Sequence, residues 1–434
     1  MIPQWIIEQK RDGQELDERD IRAFIDGYAS GEIPDYQMSA LAMAIYFQGM
    51  TAEETGVLTD AMMRSGQIID TSAIDKPKAD KHSTGGIGDK VSLILAPLVA
   101  CCGVAVPMIS GRGLGITGGT LDKMESIPGY RCDLSESEFV DVIAECGCSI
   151  IGQTEKIAPA DKKFYALRDV TATVPSIPLI TASIMSKKLA EGIDALVLDV
   201  KHGGGAFMKN PEDARRLAES LVDTGKKMGK KVVALLTDMN EPLGRAVGNS
   251  VEVGEAIECL RGEGPRDLMD IVMKLSGQML ILTEVADSEE EALAKLEDAL
   301  ESGRAYEKFR RMVESQGGDP AAIDDPSQLP QAEIESRLEA ESDGVVAAVD
   351  AEKIGKAALE LGSGRVKTSD DVDHAVGISA IVKSGTRVSR GDALAVLHAN
   401  DADRLEDARA TLNEAFLVAE NPLAPGNLIG EIVQ

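Results

Sequence analysis

Residues 81–88 concentrate groups that can hold an anion. The segment KHSTGGIG supplies a lysine, a histidine, a serine, a threonine and three glycines within eight positions. Backbone N–H groups in a glycine-rich turn that leads into a helix bind anions, and glycine lets the anion approach the backbone closely. A purely structural turn is the alternative. The adjoining charge and hydroxyls favour an anion site that includes Lys81, Ser83 and Ser92.

A second glycine-rich segment follows directly. The predicted strand VAVPMI leads to Ser110, then to GRGLGITGG, and Thr120 opens the next helix. Two adjacent strand ends of this kind can surround one phosphate. The segment also matches the dinucleotide pattern G-x-G-x-x-G, but no acidic ribose ligand follows a second strand, and the P-loop pattern is absent. We therefore predict a site for free phosphate or a sugar phosphate.

Three regions of different pattern must position these residues. The first 65 residues or so show helical spacing of apolar side chains. From Lys76, short apolar runs end in glycine-rich turns and lead into helices, which predicts an α/β fold with a mixed, largely parallel sheet. One such strand is expected to end near His82, with Asp89 as N-cap of a helix over residues 90–102 that Gly103 closes. After about residue 340 the chain is rich in predicted strands and forms a C-terminal α+β domain.

The predicted domains are discontinuous. The helical domain comprises residues 1–67 and 160–193, the α/β domain 76–156 and 194–335, and the C-terminal domain 340–434. After the α/β segment 76–156, the chain returns to the helical domain at residue 160 and leaves it again after residue 193.

Charge and apolar content exclude two kinds of partner. The formal net charge of −28 has no segregated basic stripe, which argues against nucleic-acid binding. The longest uncharged stretch, residues 91–111, contains Pro97, Gly103 and Pro107, so we expect buried core rather than a membrane span. The six cysteines lack paired metal-ligand spacing and are expected to be reduced core thiols.

The N-terminal residues show no basic region followed by an apolar run and a cleavage site. We therefore expect a cytoplasmic protein. The acidic excess is spread along predicted helix faces, and an adaptation to high salt remains open.

Four long segments together resemble one enzyme family. They are KHSTGGIGDKVSL, MISGRGLGITGGTLDKMESIPGY, IIGQTEKIAPADKKFYALRDVTATVPSIPLITASIMSKKLAEG and LDVKHGGGAFM. In this order they are similar to thymidine phosphorylase and the related pyrimidine-nucleoside phosphorylases. The resemblance implies a homodimer that cleaves pyrimidine nucleosides with inorganic phosphate as co-substrate and without a cofactor.

The resemblance also implies a role for individual residues. Phosphate would bind Lys81, Ser83, Ser92, Ser110 and Thr120, and the pyrimidine would contact Tyr165, Arg168, Ser183 and Lys187, with His82 beside it. The catalytic residues would be His82, Arg168 and Lys187. Independently, Ile180, Ser183 and Lys187 are three and four residues apart, which places them on one helix face.

Three functions are kept as hypotheses. The first is reversible phosphorolysis of pyrimidine (2′-deoxy)nucleosides, above all thymidine, with broad activity that includes uridine as a variant. The second is a catalytically silent relative that binds phosphate or nucleoside. The third is a phosphoribosyltransferase, which would need acidic Mg²⁺ ligands beside the loop that we cannot place.

Positions near the glycine-rich segments bear on specificity. Ile116 stands where the family usually has histidine, which leaves domain closure or a sugar contact open. Met108 stands where broader-specificity relatives tend to carry lysine, and a thioether offers a ribose 2′-hydroxyl only a weak acceptor. Met108 is therefore a sugar-side candidate that predicts a preference for deoxyribosides.

The resemblance further implies a potassium site in some bacterial relatives. Its positions here are Gly88, Leu243, Ala246 and Glu255, together with Lys90. Either the Lys90 ammonium turns inward and takes the place of the cation, or it points to solvent and the ion binds. We favour the lysine, because a buried Glu255 without a cation carries a large desolvation cost. No metal is then expected.

Overall fold

The computed structural model describes residues 2–113, 115–367, 369–420 and 426–434. Its N-terminal helices are α1 (Pro3–Arg11), α2 (Glu18–Ser30), α3 (Asp35–Gln48) and α4 (Ala52–Arg64). The chain returns to them with α8 (Pro159–Val170) and α9 (Ile177–Ala190). Phe164 of α8 and Leu179 of α9 share one buried core with Phe24 and Tyr28 of α2. The helical unit thus contains the return segment that the sequence predicts.

A mostly parallel sheet forms the centre of the molecule. Its strands are β1 (Ala79–Ser83), β2 (Val106–Ser110), β3 (Cys148–Gly152), β4 (Ala195–His202) and β5 (Lys231–Asp238). They form two ladders, one with β1, β4 and β5 and one with β2 and β3, which a parallel bridge between Lys78 and Ala105 links. Strand β4 pairs in parallel with β1 and β5, and β2 pairs in parallel with β3. Strand β13 (Ile429–Val433) adds to β5 in antiparallel orientation. The mixed, largely parallel sheet is confirmed, and its last strand comes from the segment assigned to the C-terminal domain.

Helices surround this sheet, some in direct contact with its strands and some through other helices. They are α5 (Val91–Cys101), α6 (Thr120–Glu125), α7 (Glu136–Cys146), α10 (Pro211–Lys227), α11 (Ser250–Leu260), α12 (Arg266–Leu282), α13 (Glu289–Glu301), α14 (Arg304–Ser315) and α15 (Ala321–Asp324), followed by a 3-10 turn at Pro326–Gln328.

Helix α5 is the predicted buried core element. Every residue from Val91 to Ala100 is buried, and Pro97 lies inside the helix rather than ending it. The predicted N-cap was wrong by one residue: Lys90 occupies the N-cap position, while the Asp89 carboxylate accepts a hydrogen bond from the Val91 N–H at 3.3 Å. Within the described residues, no helix is both long and apolar enough to cross a membrane.

The C-terminal part is an α+β unit with two antiparallel sheets. Its elements are β7 (Ile334–Glu339), β8 (Gly344–Val349), α16 (Ala351–Leu361), β9 (Gly377–Ser379), β10 (Arg387–Val388), β11 (Ala393–Ala399), α17 (Ala402–Asn413) and β12 (Phe416–Ala419). One sheet has the order β10-β8-β12, and the other has the order β6-β9-β11-β7, where β6 is Val247–Gly248.

The unit also holds the second glycine-rich segment in place. Arg365 donates to Asp122 at 2.7 Å, and the Gly115 N–H donates to the Arg365 carbonyl at 2.8 Å. Ile116 packs half-buried against the main core there. Leu114 of this segment lies outside the described residues.

Candidate active site

A cleft of about 830 Å³ opens at the carboxyl ends of β1 and β2, where the helical unit faces the sheet. Eight of the predicted site residues line it: Lys81, His82, Ser83, Ser92, Ser110, Thr120, Tyr165 and Lys187. The α/β unit contributes the first six and the helical unit the last two. The two groups of predicted residues therefore meet across one cavity.

The environment of Lys81 is suited to binding an anion. Its ammonium lies 3.6 Å from an Asp89 oxygen and 4.0 Å from an Asp199 oxygen, and within the described residues it makes no hydrogen bond. The side chain is buried, so an ammonium with unused donors stands in a place of low dielectric. Among the residues that the structure describes, the hydroxyls of Ser92, Ser110 and Thr120 likewise have no hydrogen-bond partner. These four side chains offer an oxyanion several donors at once.

Ser83 has a different local role from the other hydroxyls. Its Oγ donates to Asp89 at 2.6 Å and accepts from the Gly85 N–H at 3.2 Å. Burial opposes ionisation of Asp89, but Lys81 and Lys201 nearby hold the pKa of its carboxyl well below the usual range. Asp89 is therefore an anion that balances two lysines, and Ser83 shapes the turn.

Lys187 and Ser183 occupy one face of α9, as their spacing predicts. The Lys187 ammonium donates to the Ser183 carbonyl at 2.6 Å, to the Ser183 hydroxyl at 3.0 Å and to the Asp161 carboxylate. About a quarter of the Lys187 side chain is exposed to the cleft, while Ser183 is buried behind it. Lys187 is thus a cation that reaches the cavity from the helical unit.

Arg168 faces away from the cleft in this conformation. Its guanidinium donates to the carbonyls of Val174 at 2.7 Å, Leu179 at 2.9 Å and Thr173 at 3.4 Å. Burial lowers the pKa of Arg168 to about 10, so the group stays charged at neutral pH. The arginine fastens the loop between α8 and α9 and does not line the cavity. Tyr165, 46% exposed, does line it.

The structure does not bring Met108 to the cleft. Its side chain is 1% exposed and lies in the core. Met108 precedes Ser110 by two residues on β2, so the two side chains share one face of the strand but Met108 lies further from the cleft. A direct contact between Met108 and a sugar is therefore not part of the observed site, because only the last residues of the strand reach the cavity.

His82 stands at the end of β1 among cations. Burial lowers the pKa of His82 well below its ordinary value of 6.5, and the ammonium groups of Lys188, Lys187 and Lys81 lower it further. The imidazole is neutral at neutral pH, with one nitrogen that donates and one that accepts. It can donate a hydrogen bond to an oxygen of a ligand without carrying a charge.

The Lys90 side chain turns inward. Its ammonium donates to the carbonyls of Leu243 at 3.0 Å and Ala246 at 2.9 Å and to the Glu255 carboxylate at 2.5 Å. A Cβ on Gly88 would stand 2.4 Å from the Leu243 oxygen, so this glycine permits the close packing. The predicted position of the ammonium is confirmed.

Two functional neighbours escaped the sequence analysis. Asp161 pairs with Lys187 across 26 positions of sequence, and Lys188 lines the cleft beside Lys187 while bound to Asp80 and Glu191. The sequence signal that could have revealed Lys188 is its position directly after Lys187 on α9. Consecutive residues of a helix do not face the same way, so Lys188 cannot share the face of Lys187.

Known proteins resemble the whole chain. The pyrimidine-nucleoside phosphorylase of Geobacillus stearothermophilus is 49% identical over 424 residues, which cover 98% of both chains. The chain belongs to the pyrimidine-nucleoside phosphorylase family. An equally named protein of Staphylococcus aureus (strain N315) is 49% identical over 428 residues, 99% of this chain and 98% of that protein.

Family models match each of the three units of this phosphorylase-family chain. They are the helical bundle domain of a glycosyl transferase family over residues 4–66, the a/b domain of that family over 75–306 and the pyrimidine nucleoside phosphorylase C-terminal domain over 345–419. The crystal structure of anthranilate phosphoribosyltransferase from Thermus thermophilus matches with a TM-score of 0.59 at 20% identity. It covers 72% of this chain and 99% of its own, and this likeness shows the fold alone.

The environment of His82 predicts an imidazole that stays neutral in mild acid. NMR titration of protein with ¹³C-labelled histidine follows the chain's four imidazoles, and a His82→Gln variant assigns the His82 signal. We expect that signal to keep its neutral position as the pH falls from 8 through 6. A titration midpoint near 6.5 would contradict the electrostatic argument.

Proposed function

We propose that this protein catalyses the reversible phosphorolysis of pyrimidine nucleosides, with thymidine and phosphate giving thymine and 2-deoxy-α-D-ribose 1-phosphate. The observation that carries the proposal is the pairing of two half-sites across one cleft. Lys81 with unengaged hydroxyls faces it from one side, and Lys187 faces it from the other. The relatives named pyrimidine-nucleoside phosphorylase support the same reaction class.

The chemistry follows from charge. Phosphate is already anionic at pH 7, so it needs position rather than activation to attack C1′ of the nucleoside. The C1′–N1 bond breaks, the pyrimidine leaves with its electron pair, and in-line attack inverts C1′. Lys187 stabilises the charge that develops on the base, and neutral His82 donates a hydrogen bond to a base oxygen. Arg168 supports Lys187 from behind by holding the loop before α9.

Two rival functions remain as outcomes of the assay. A silent relative would bind phosphate or nucleoside without turnover. A phosphoribosyltransferase would need Mg²⁺ ligands beside the glycine-rich turn. The carboxylate there, Asp89, is engaged by Ser83 and the nearby lysines.

We also propose a homodimer in the cytoplasm. A group of large apolar side chains on α1 and α3 is exposed, namely Trp5, Tyr36, Met43, Tyr46 and Phe47. Exposed aromatic surface of this kind is typical of a protein interface. A second copy of the chain is the partner that the resemblance implies, and a sedimentation mass of one chain would contradict it. The six free cysteines suit a reducing compartment.

The proposed reaction predicts a strict need for phosphate. Purified protein is incubated with thymidine, deoxyuridine, uridine and cytidine, with and without phosphate, and free base is measured. We expect base only when phosphate is present. The comparison of kcat/KM for deoxyuridine and uridine tests the preference for deoxyribosides, for which buried Met108 no longer supplies a structural reason. Absence of free base from every nucleoside would favour the silent relative. Uridine as the better substrate would favour broad specificity.

Lys187→Ala should cripple the chemical step. Loss of one charge-assisted contact to a developing anion costs on the order of a hundredfold in kcat. Lys162→Ala is the matched control, because Lys162 also lines the cleft but is half exposed and pairs with exposed Glu155. We expect this control to stay within about threefold of the parent. Normal turnover by Lys187→Ala would remove the base-side assignment.

The position of Lys90 predicts an enzyme that does not need potassium. Its ammonium already satisfies two carbonyls and the Glu255 carboxylate. Turnover should be equal when K⁺ replaces a large organic cation at constant ionic strength, whereas Lys90→Thr should become potassium-dependent. Strong activation of the unmodified protein by K⁺ would show that the ammonium does not take the place of the metal.

A further inference from the structure

The central sheet is split between β1 and β2. The two strands begin as parallel neighbours, with the Ala79 N–H donating to the Ala105 carbonyl at 3.0 Å and the Ala105 N–H donating to the Pro77 carbonyl at 2.8 Å. Beyond this point, β1 and β2 are not paired with each other within the described residues. Strand β1 continues beside β4, and β2 continues beside β3. The split leads toward the strand ends that carry Lys81, His82 and Ser110.

Two side chains fill the split: Lys188 of helix α9 and Glu191, the C-cap residue of that helix. The Lys188 ammonium donates to the Asp80 carboxylate on β1 and, at 2.7 Å, to the Ile109 carbonyl on β2. The Glu191 carboxylate accepts from the Ile109 N–H at 3.2 Å and from Lys188 at 2.9 Å. The N–H and C=O of Ile109 therefore receive from α9 the partners that a continuous sheet would have provided.

Lys188 is less available to a ligand than Lys187. The ammonium of Lys188 donates to Asp80, Ile109 and Glu191. The ammonium of Lys187 also has three partners in the protein, but about a quarter of the Lys187 side chain is exposed, whereas Lys188 is buried. Asp80 and Glu191 are fully buried and Lys188 is 3% exposed, although Lys188 borders the cleft. Two of these contact points are next to site residues: Asp80 precedes Lys81, and Ile109 precedes Ser110.

We propose that Asp80, Lys188 and Glu191 form a positioning cluster that sets the distance between the base-side and phosphate-side halves of the cleft. The proposal rests on the proposed phosphorolysis. Helix α9 carries Lys187 toward the base, and the same helix holds the ends of β1 and β2 that carry the phosphate-side residues. An error of about 1 Å between two reacting groups can cost a hundredfold in rate.

Charge balance in the cluster requires one additional proton. Two carboxylates share a single ammonium in a dry interior, and among the described residues Asp80 Oδ1 and Glu191 Oε2 have no hydrogen-bond partner. Burial, followed by the charge of Asp80, raises the pKa of Glu191 well above its ordinary value. The charges that act on Glu191 are those of Asp80 and Lys188, and neighbouring His82 is neutral. A protonated Glu191 leaves the cluster neutral, so glutamine is a close substitute there.

Steady-state kinetics of Lys188→Met tests the proposal. We expect kcat per folded molecule to fall by on the order of a hundredfold. The KM values for phosphate and nucleoside should change by less than about threefold, because each half-site keeps its own contacts. Glu191→Gln should lose far less activity than Glu191→Ala, which removes the acceptor for both Lys188 and the Ile109 N–H.

Lys10→Met is the matched control. Lys10 and Glu54 form a similarly buried pair at 2.7 Å in the helical unit, outside the residues that line the cleft. Breaking this pair should lower the unfolding temperature and leave kcat per folded molecule unchanged. A merely structural role for Lys188 predicts the same behaviour for Lys188→Met, and that result would overturn the proposal.

A second variant covers the case in which Lys188→Met does not fold. The triple variant Asp80→Asn, Lys188→Met, Glu191→Gln removes all three ionisable groups together, so no buried charge is left unpaired. We expect it to fold and to show the same loss of kcat. Parental kcat in the triple variant would also overturn the proposal. An inactive parent protein would instead refute the proposed phosphorolysis, which separates the two failures.

Discussion

The structure depends on balancing positive charge that lies out of contact with water. Six lysines of the described residues are buried, and five of them have a carboxylate oxygen within 3.3 Å: Lys10, Lys90, Lys123, Lys188 and Lys201. Removing one partner of such a pair would leave a costly charge inside the protein. Lys81 differs, since its nearest carboxylate oxygen is 3.6 Å away. This incompletely paired ammonium faces the cleft, where an anionic ligand can complete its environment.

Helix α9 joins the two bodies that form the cleft. Leu179 and Ala182 near its start belong to the helical core, while Ile184, Met185 and Leu189 belong to the core of the sheet. A rigid element that is buried in both cores keeps the two sides of the cleft in a defined relation. The short α8–α9 loop, held by Arg168, fixes where this helix begins.

Local patterns allowed the sequence to predict much of this site. The glycine-rich turns after two strands indicated the phosphate side, and the spacing of Ser183 and Lys187 indicated one helix face. The inward turn of Lys90 followed from the cost of leaving Glu255 unpaired. The structure confirms the shared helix face and the inward lysine, because each depends on residues close in sequence or on a strong electrostatic requirement. The phosphate side stays a prediction.

Other features depend on distant pairings that leave no periodic signal. Asp80 and Lys188 are 108 positions apart, and nothing in either segment identifies the other as its partner. Arg168 binds loop carbonyls, which every residue type supplies equally. Met108 and Ser110 share one face of β2, and only the depth of the strand in the sheet separates a core residue from one in the cleft.

The position of β13 has a consequence for folding. The outer neighbour of β5 is a strand that lies far away in the sequence, since Ile429 pairs with Thr237, about 190 positions earlier. Until β13 docks, the edge of β5 presents unpaired N–H and C=O groups beside apolar side chains, a surface that favours pairing with other unfolded chains. Closing so long a stretch of chain carries an entropic cost that no local contact offsets. The last strand of the sheet is therefore expected to be a slow one to pair.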